Sequence, residues 1–110
     1  VMGAPNVVKG GSHSGNVSAL ELARAGLLDA LASDYVPISL LAAVLRLTED
    51  DVGMSLSEAV NTASLNAARA AGLDDRGEIA AGKRADLIRV RMVDEHPVVR
   101  TVYAAGKRVA

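Results

Sequence analysis

Polar punctuation divides the apolar positions of this chain into segments of two kinds, helical first and strand-like after about residue 73. Residues 1–16 read as loop, because Gly3, Pro5, Asn6 and then Gly10-Gly11-Ser12-His13-Ser14-Gly15-Asn16 interrupt any periodicity. Ser18 and Glu21 form a capping box, and Val17 and Leu22 are placed to staple it. A helix is therefore expected to about Ala25, with Gly26 as its stop. Residues 27–33 are a short apolar run that periodicity alone cannot assign to strand or helix. Its length and the break at Ser33-Asp34 favour a buried strand. Pro37 suits the first turn of a helix, and residues 38–47 are so uniformly apolar that this helix is expected to be deeply buried. After the acidic loop Thr48-Glu49-Asp50-Asp51, a second capping box from Ser55 to Glu58 opens a helix expected to run through about Ala71, with Gly72 as its stop.

From Asp74 the pattern changes. Gly77, Gly82 and Gly106 punctuate apolar runs at 85–90 and 98–104, which read as strands joined by tight turns. The chain divides into an α/β part, residues 1–72, and a small all-β part, residues 73–110, with no internal repeat.

Composition narrows the classes of function. Half the residues are hydrophobic, but Phe and Trp are absent and Tyr35 and Tyr103 are the only aromatics. The core is thus finely grained, and stacking of nucleic-acid bases is poorly supported. A net charge of −1 gives no strong steering toward nucleic acid or an anionic membrane. Residues 1–70 hold 4 Lys/Arg against 7 Asp/Glu, and residues 71–110 hold 8 against 6. The basic residues of the second part alternate with apolar ones, as on a solvated sheet face. The absence of cysteine excludes a disulfide framework and a thiolate site, and suits a reducing cytoplasm. No apolar run approaches the roughly 20 residues of a membrane span. The Val1-Met2-Gly3 opening lacks the charged stretch and apolar core of a signal peptide, and further residues are expected before it.

Few residues carry candidate chemistry. Asp34 ends a buried strand and precedes a Pro-initiated helix, the place where α/β barrels set catalytic groups. There a carboxylate can hold a metal and take a proton from metal-bound water. Asp34 also stands three residues before Pro37, where Asp caps a helix, and on spacing alone the cap reading prevails. In Gly10–Asn16, glycines permit close backbone approach to an anion, Ser12, Ser14 and Asn16 add donors, and the following helix N-terminus favours phosphate. An ordinary loop is an equal reading. His13 can donate, act as an acid or ligate, but it has no His partner at i+2, i+3 or i+4. The pattern is not a P-loop, since no Gly-Lys-Ser/Thr follows at the required spacing. His96, before Pro97, reads as a surface turn residue. Lys83 and Arg84 read as a solvated turn with edge charges, Asp86 as a structural carboxylate, and Arg69 as a complement to its helix dipole.

Residues 66–73, Asn-Ala-Ala-Arg-Ala-Ala-Gly-Leu, followed by Arg76-Gly77-Glu78-Ile79-Ala80-Ala81-Gly82-Lys83-Arg84-Ala85-Asp86-Leu87, resemble the closing signature of the amidohydrolase superfamily. In that superfamily an Asn-Pro-Ala helix leads into a G-x-I-x-x-G-x-x-A-D-L strand pair; Ala67 stands here in place of the Pro. Val102-Tyr103-Ala104-Ala105-Gly106-Lys107 is similar to its last hairpin. Upstream, Met2-Gly3-Ala4-Pro5-Asn6, the Gly10–Asn16 loop and Ser33-Asp34-Tyr35-Val36-Pro37 are similar to the branch of phosphonate metabolism that serves the carbon–phosphorus lyase pathway.

The resemblance implies an α/β fold, the last part of a metal-dependent hydrolase (β/α)8 barrel over residues 1–72, followed by the C-terminal strands of a composite β-sandwich over 73–110. It implies that Asp34 is a metal ligand and the base for the hydrolytic water. It places Gly11, Ser12, His13, Ser14, Gly15 and Asn16 at the mouth of the site, on the substrate's phosphates. The expected substrate is a small phosphorylated ribose phosphonate, ribose 1-methylphosphonate 5-triphosphate, hydrolysed to release diphosphate. The expected cofactor is a divalent metal, with zinc as the ion, and the expected location is the cytoplasm. The family's His-x-His pair, bridging lysine and later histidines are expected before Val1, so the 110 residues alone are expected to be inactive. Nucleic-acid and membrane partners are not expected; the remaining N-terminal part of the same enzyme, or self-association, is. Two rivals are an amidohydrolase acting on a cyclic amide or by deamination, and a self-associating binding module.

Overall fold

Two very short strands set the frame of the first part. In this computed structural model, which describes residues 1–9 and 18–110, β1 (Met2–Gly3) pairs parallel with β2 (Leu31–Ala32). A parallel pair needs a crossover, and here it carries α1 (Ala4–Lys9) and α2 (Ala19–Arg24). The loop expected over residues 1–16 is thereby corrected for 1–9. Pro5, read as a breaker, sits in the first turn of α1, where its missing N–H is not needed. Buried Ala4, Pro5 and Val7 give α1 an inward face. Asn6, also read as a breaker, accepts the Ala19 N–H on its Oδ1 at 2.9 Å, at the start of α2.

The helix ends follow local rules. The Ser18 hydroxyl accepts from the Leu20 N–H, as expected of an N-cap. At the other end of α2, Gly26 (φ 73) and Leu27 donate to Ala23 O and Leu22 O, a Schellman pair. The buried strand expected over 27–33 forms only as β2, with Leu28, Ala30 and Leu31 buried. The next helix, α3 (Ser39–Arg46), lies close to its expected bounds but is not deeply buried throughout. Ser39, Ala43 and Val44 face inward, whereas Ile38 is 86% exposed.

The helix expected from Ser55 to Ala71 is two helices, α4 (Leu56–Ala63) and α5 (Leu65–Ala70). Its start is as predicted, with the Ser55 hydroxyl accepting from the Glu58 N–H at 3.2 Å. Its continuity fails at Ser64, at φ −129 and ψ −87. The Ser64 hydroxyl donates back to Val60 O at 2.8 Å, a bond that competes with the helical ladder. Gly72 (φ 74) and Leu73 close α5 with a second Schellman pair onto Arg69 O and Ala68 O.

After Asp74 the chain builds an antiparallel sheet in the order β3 (Leu87–Val93), β4 (His96–Ala104), β5 (Lys107–Arg108). Both hairpins have two-residue loops with positive φ throughout, Asp94-Glu95 (49, 66) and Ala105-Gly106 (51, 79), the φ signs of type I′ turns. A register shift between Arg89 and Val90 leaves Arg100 as a bulge residue. His96 is therefore not a turn residue: it opens β4 opposite Val93.

The core is a cluster of small aliphatic side chains, among them Val7, Leu20, Leu31, Val44, Leu47 and Ala59. The β3–β4–β5 sheet contributes no residue to it. By strand alternation Ile88, Val90 and Met92 share one sheet face with their partners Val102, Val99 and Pro97. That face is apolar yet open, with Ile88 54% and Met92 52% exposed.

Candidate functional site

The parallel pairing of β1 and β2 sends their C-terminal ends the same way, and Asp34 stands two residues past the end of β2. Ser33 to Val36 form a turn closed by the Val36 N–H on Ser33 O, with Asp34 at φ 55 inside it. This conformation is sparsely populated outside glycine, although Asp tolerates it better than most residues. The turn also bears on the cap reading of Asp34. Helix α3 begins at Ser39 with Ile38 as its N-cap and no side-chain cap, so Asp34 does not cap it. The Asp34 side chain is exposed and lies against the Cα of Gly3: a Cβ built on Gly3 would fall 2.7 Å from Asp34 Oδ2. The Gly11, Ser12, His13, Ser14, Gly15 and Asn16 loop lies outside the described residues.

Among the described residues no group of three His, Asp or Glu is placed to hold a metal ion. A catalytic metal takes about three protein donors and an open position. The described residues offer one candidate donor group, Asp34, and by themselves do not make up a metal centre.

The residues of the closing signature build structure. Asp86 Oδ1 accepts from the Ala105 N–H and from Arg84 Nε, each at 2.8 Å. These bonds, the backbone one first, hold the Asp86 carboxyl below its usual range. The Gly106 N–H reaches Ala85 O at 2.9 Å. Ala85-Asp86 thus clamps the β4–β5 turn, as expected of a structural carboxylate. Lys83 and Arg84 are more than a solvated turn. Lys83 Nζ donates to Asp74 O and lies 3.7 Å from Glu78, and the Arg84 N–H donates to Asp75 O, so the two glycine turns are sewn together. Arg69 sits in the last turn of α5, as expected. Asn66 donates to Asp29 O at 2.7 Å, fastening α5 to the segment before β2.

An ionic cluster went unread in the sequence. Asp51 accepts two bonds from Arg46 on its carboxylate, at 2.7 and 2.8 Å, and two from Arg24, on the carboxylate at 3.0 Å and on the backbone O at 2.9 Å, joining α2, α3 and the following loop. Arg24 lies too far away in the chain for any local spacing rule to pair it with Asp51. The hydrogen bond from Arg46, then its charge and the Arg24 contacts, pull the Asp51 carboxyl down from 3.8 to about 2. A depressed carboxylate stabilises the fold above its unfolded value, and the contribution is lost as pH falls through the folded one. The stability difference between wild type and Asp51→Asn, measured by denaturant titration, is expected to be constant near neutrality. It should close between about pH 4 and pH 2. A difference that persists unchanged at the acid end would assign it to something other than the charge.

Residues 12–109 match the amidohydrolase family. The chain belongs to that family. The alpha-D-ribose 1-methylphosphonate 5-triphosphate diphosphatase of Escherichia coli (strain K12) is 52% identical over 110 residues, which cover 99% of this chain and 29% of that protein. An adenine deaminase of Petrotoga mobilis is 44% identical over 59 residues, 54% of this chain and 10% of the deaminase. An imidazolonepropionase of Deinococcus deserti is 38% identical over 74 residues, 60% of this chain and 18% of that protein. This amidohydrolase chain thus spans less than a third of the length of each of these relatives. No solved structure matches it. Among the described residues no helix is long and apolar enough to cross a membrane.

Proposed function

We propose that these residues act within a longer, metal-dependent amidohydrolase that hydrolyses ribose 1-methylphosphonate 5-triphosphate and releases diphosphate. The observation that carries this reading is the 52% identity to the diphosphatase across 99% of the chain. The deaminase and imidazolonepropionase matches each cover 60% of it or less. In this reading residues 1–72 are the C-terminal part of a (β/α)8 barrel, with β1 and β2 as neighbouring staves. Residues 73–110 are the last strands of a composite β-sandwich. The open apolar face around Ile88 and Met92 supports the second assignment, since a sandwich sheet keeps one face for a facing layer. The partners are then the small-molecule substrate and the rest of the same polypeptide, in the cytoplasm.

Release of diphosphate breaks the bridge between the first and second phosphates, and the attacking water gives up a proton. Asp34 is the carboxylate of this chain assigned to accept that proton and to serve as one metal donor. Its place past the C-terminal end of β2, at the barrel end where such groups stand, supports the assignment. The divalent metal, with zinc as the expected ion, would supply an activated water. Gly11, Ser12, His13, Ser14, Gly15 and Asn16 are assigned to orient the phosphates.

The test is to give the purified full-length protein the ribose triphosphate and, separately, adenine and a cyclic amide, following products by phosphorus NMR and absorbance. Stoichiometric diphosphate and ribose 1-methylphosphonate 5-phosphate are expected. Turnover of adenine or the cyclic amide with no diphosphate would replace this reading with the deaminase or amidase one.

A further inference from the structure

We infer that Gly3 is a positioning residue for Asp34, a role that rests on the reading of Asp34 as a proton acceptor. A Cβ on Gly3 would meet Asp34 Oδ2 at 2.7 Å, Asp34 Cβ at 3.2 Å and Asp34 Cγ at 3.3 Å, so its three nearest neighbours all belong to one side chain. The backbone does not ask for glycine there. Gly3 is absent from the positive-φ glycines and pairs as an ordinary strand residue opposite Ala32. A strand position favours a larger, β-branched side chain, and glycine weakens it. What glycine leaves free is the space the Asp34 carboxylate fills. Asp34 in turn stands at φ 55, which directs its side chain back over β1 instead of forward onto α3. A bare Cα at the end of one strand and a left-handed aspartate past the end of its parallel neighbour together lay the carboxylate across the strand ends. A capping or merely solvated aspartate would need neither feature.

The test compares Gly3→Ala, Asp34→Asn and their combination in the full-length protein. Asp34 is exposed, so its carboxylate can swing away from a new methyl group and leave the fold intact. Gly3→Ala is expected to lower kcat on the order of 100-fold while KM stays within about twofold, as for a small misplacement of a reacting group. The double variant should be no slower than Asp34→Asn alone. Wild-type kcat in Gly3→Ala beside an inactive Asp34→Asn overturns the positioning role and leaves the proton-acceptor reading standing. An Asp34→Asn protein with wild-type activity brings down that reading, and the role of Gly3 with it. Thermal unfolding covers the case in which Gly3→Ala destabilises the protein. The loss should then vanish when Gly3→Ala is measured against Asp34→Gly, which removes all three clashing side-chain atoms. A loss that survives there overturns the inference.

Discussion

Asp34→Asn in the full-length protein is expected to reduce turnover by about 10²- to 10⁴-fold, the range associated with loss of a general base. The substitution removes charge and basicity, and with them an anionic metal donor, while keeping the shape of the side chain. Asn has the shape of Asp and is among the few residues that share its tolerance of positive φ, so the Ser33–Val36 turn at φ 55 should persist. It also leaves the packing against Gly3 unchanged in volume. Neither strain nor cavity formation then competes as an explanation of lost activity. The comparison is made at saturating substrate, with thermal unfolding as the control. A midpoint equal to wild type and a collapsed kcat would place Asp34 in the chemistry; full turnover would return it to a structural turn.

Gly77→Ala is expected to destabilise the fold by about 2–4 kcal/mol, from overpacking together with a backbone conformation that side chains avoid. Gly77 sits at φ 101, and a Cβ there would stand 2.9 Å from Ala68 Cβ, 3.0 Å from Leu65 Cα and 3.1 Å from Ser64 O. Two of these atoms are backbone, so no rotamer change relieves the contact. The loop docks where α4 and α5 part at Ser64, and the signature glycine is there because two backbones touch. Against a typical stability of about 5–15 kcal/mol, such a loss is easily seen as a lower denaturant midpoint at unchanged slope. A change within about 0.5 kcal/mol, the scatter of ordinary surface substitutions, would mean that the loop yields freely.

The contrast between these two residues shows what could be read in advance. The closing signature was conspicuous in the sequence, and its Gly77, Lys83 and Asp86 proved to be fastenings among turns and hairpins. Asp34 was ambiguous, because a helix cap and a catalytic carboxylate share the same local spacing. The missing cap bond at α3 removed the cap reading, and the contact with Gly3 came to light only in the fold. Gly3 itself looked like loop punctuation, and nothing nearby in the chain explains it.

What the sequence determined by itself is local: the Ser18 and Ser55 caps, the Gly26 and Gly72 stops, and the tight turn at Gly106. Each depends on groups within a few residues of one another, whose geometry the backbone dictates directly. Tertiary structure alone decided that Met2–Gly3 is a strand, that Asp51 gathers Arg24 and Arg46, and that Asp34 leans on Gly3. A two-residue strand has no periodicity to detect, since its hydrogen bonds come from a partner distant in the chain. The same holds for the close approaches: the space a side chain must leave empty is set by a neighbour that only folding brings there.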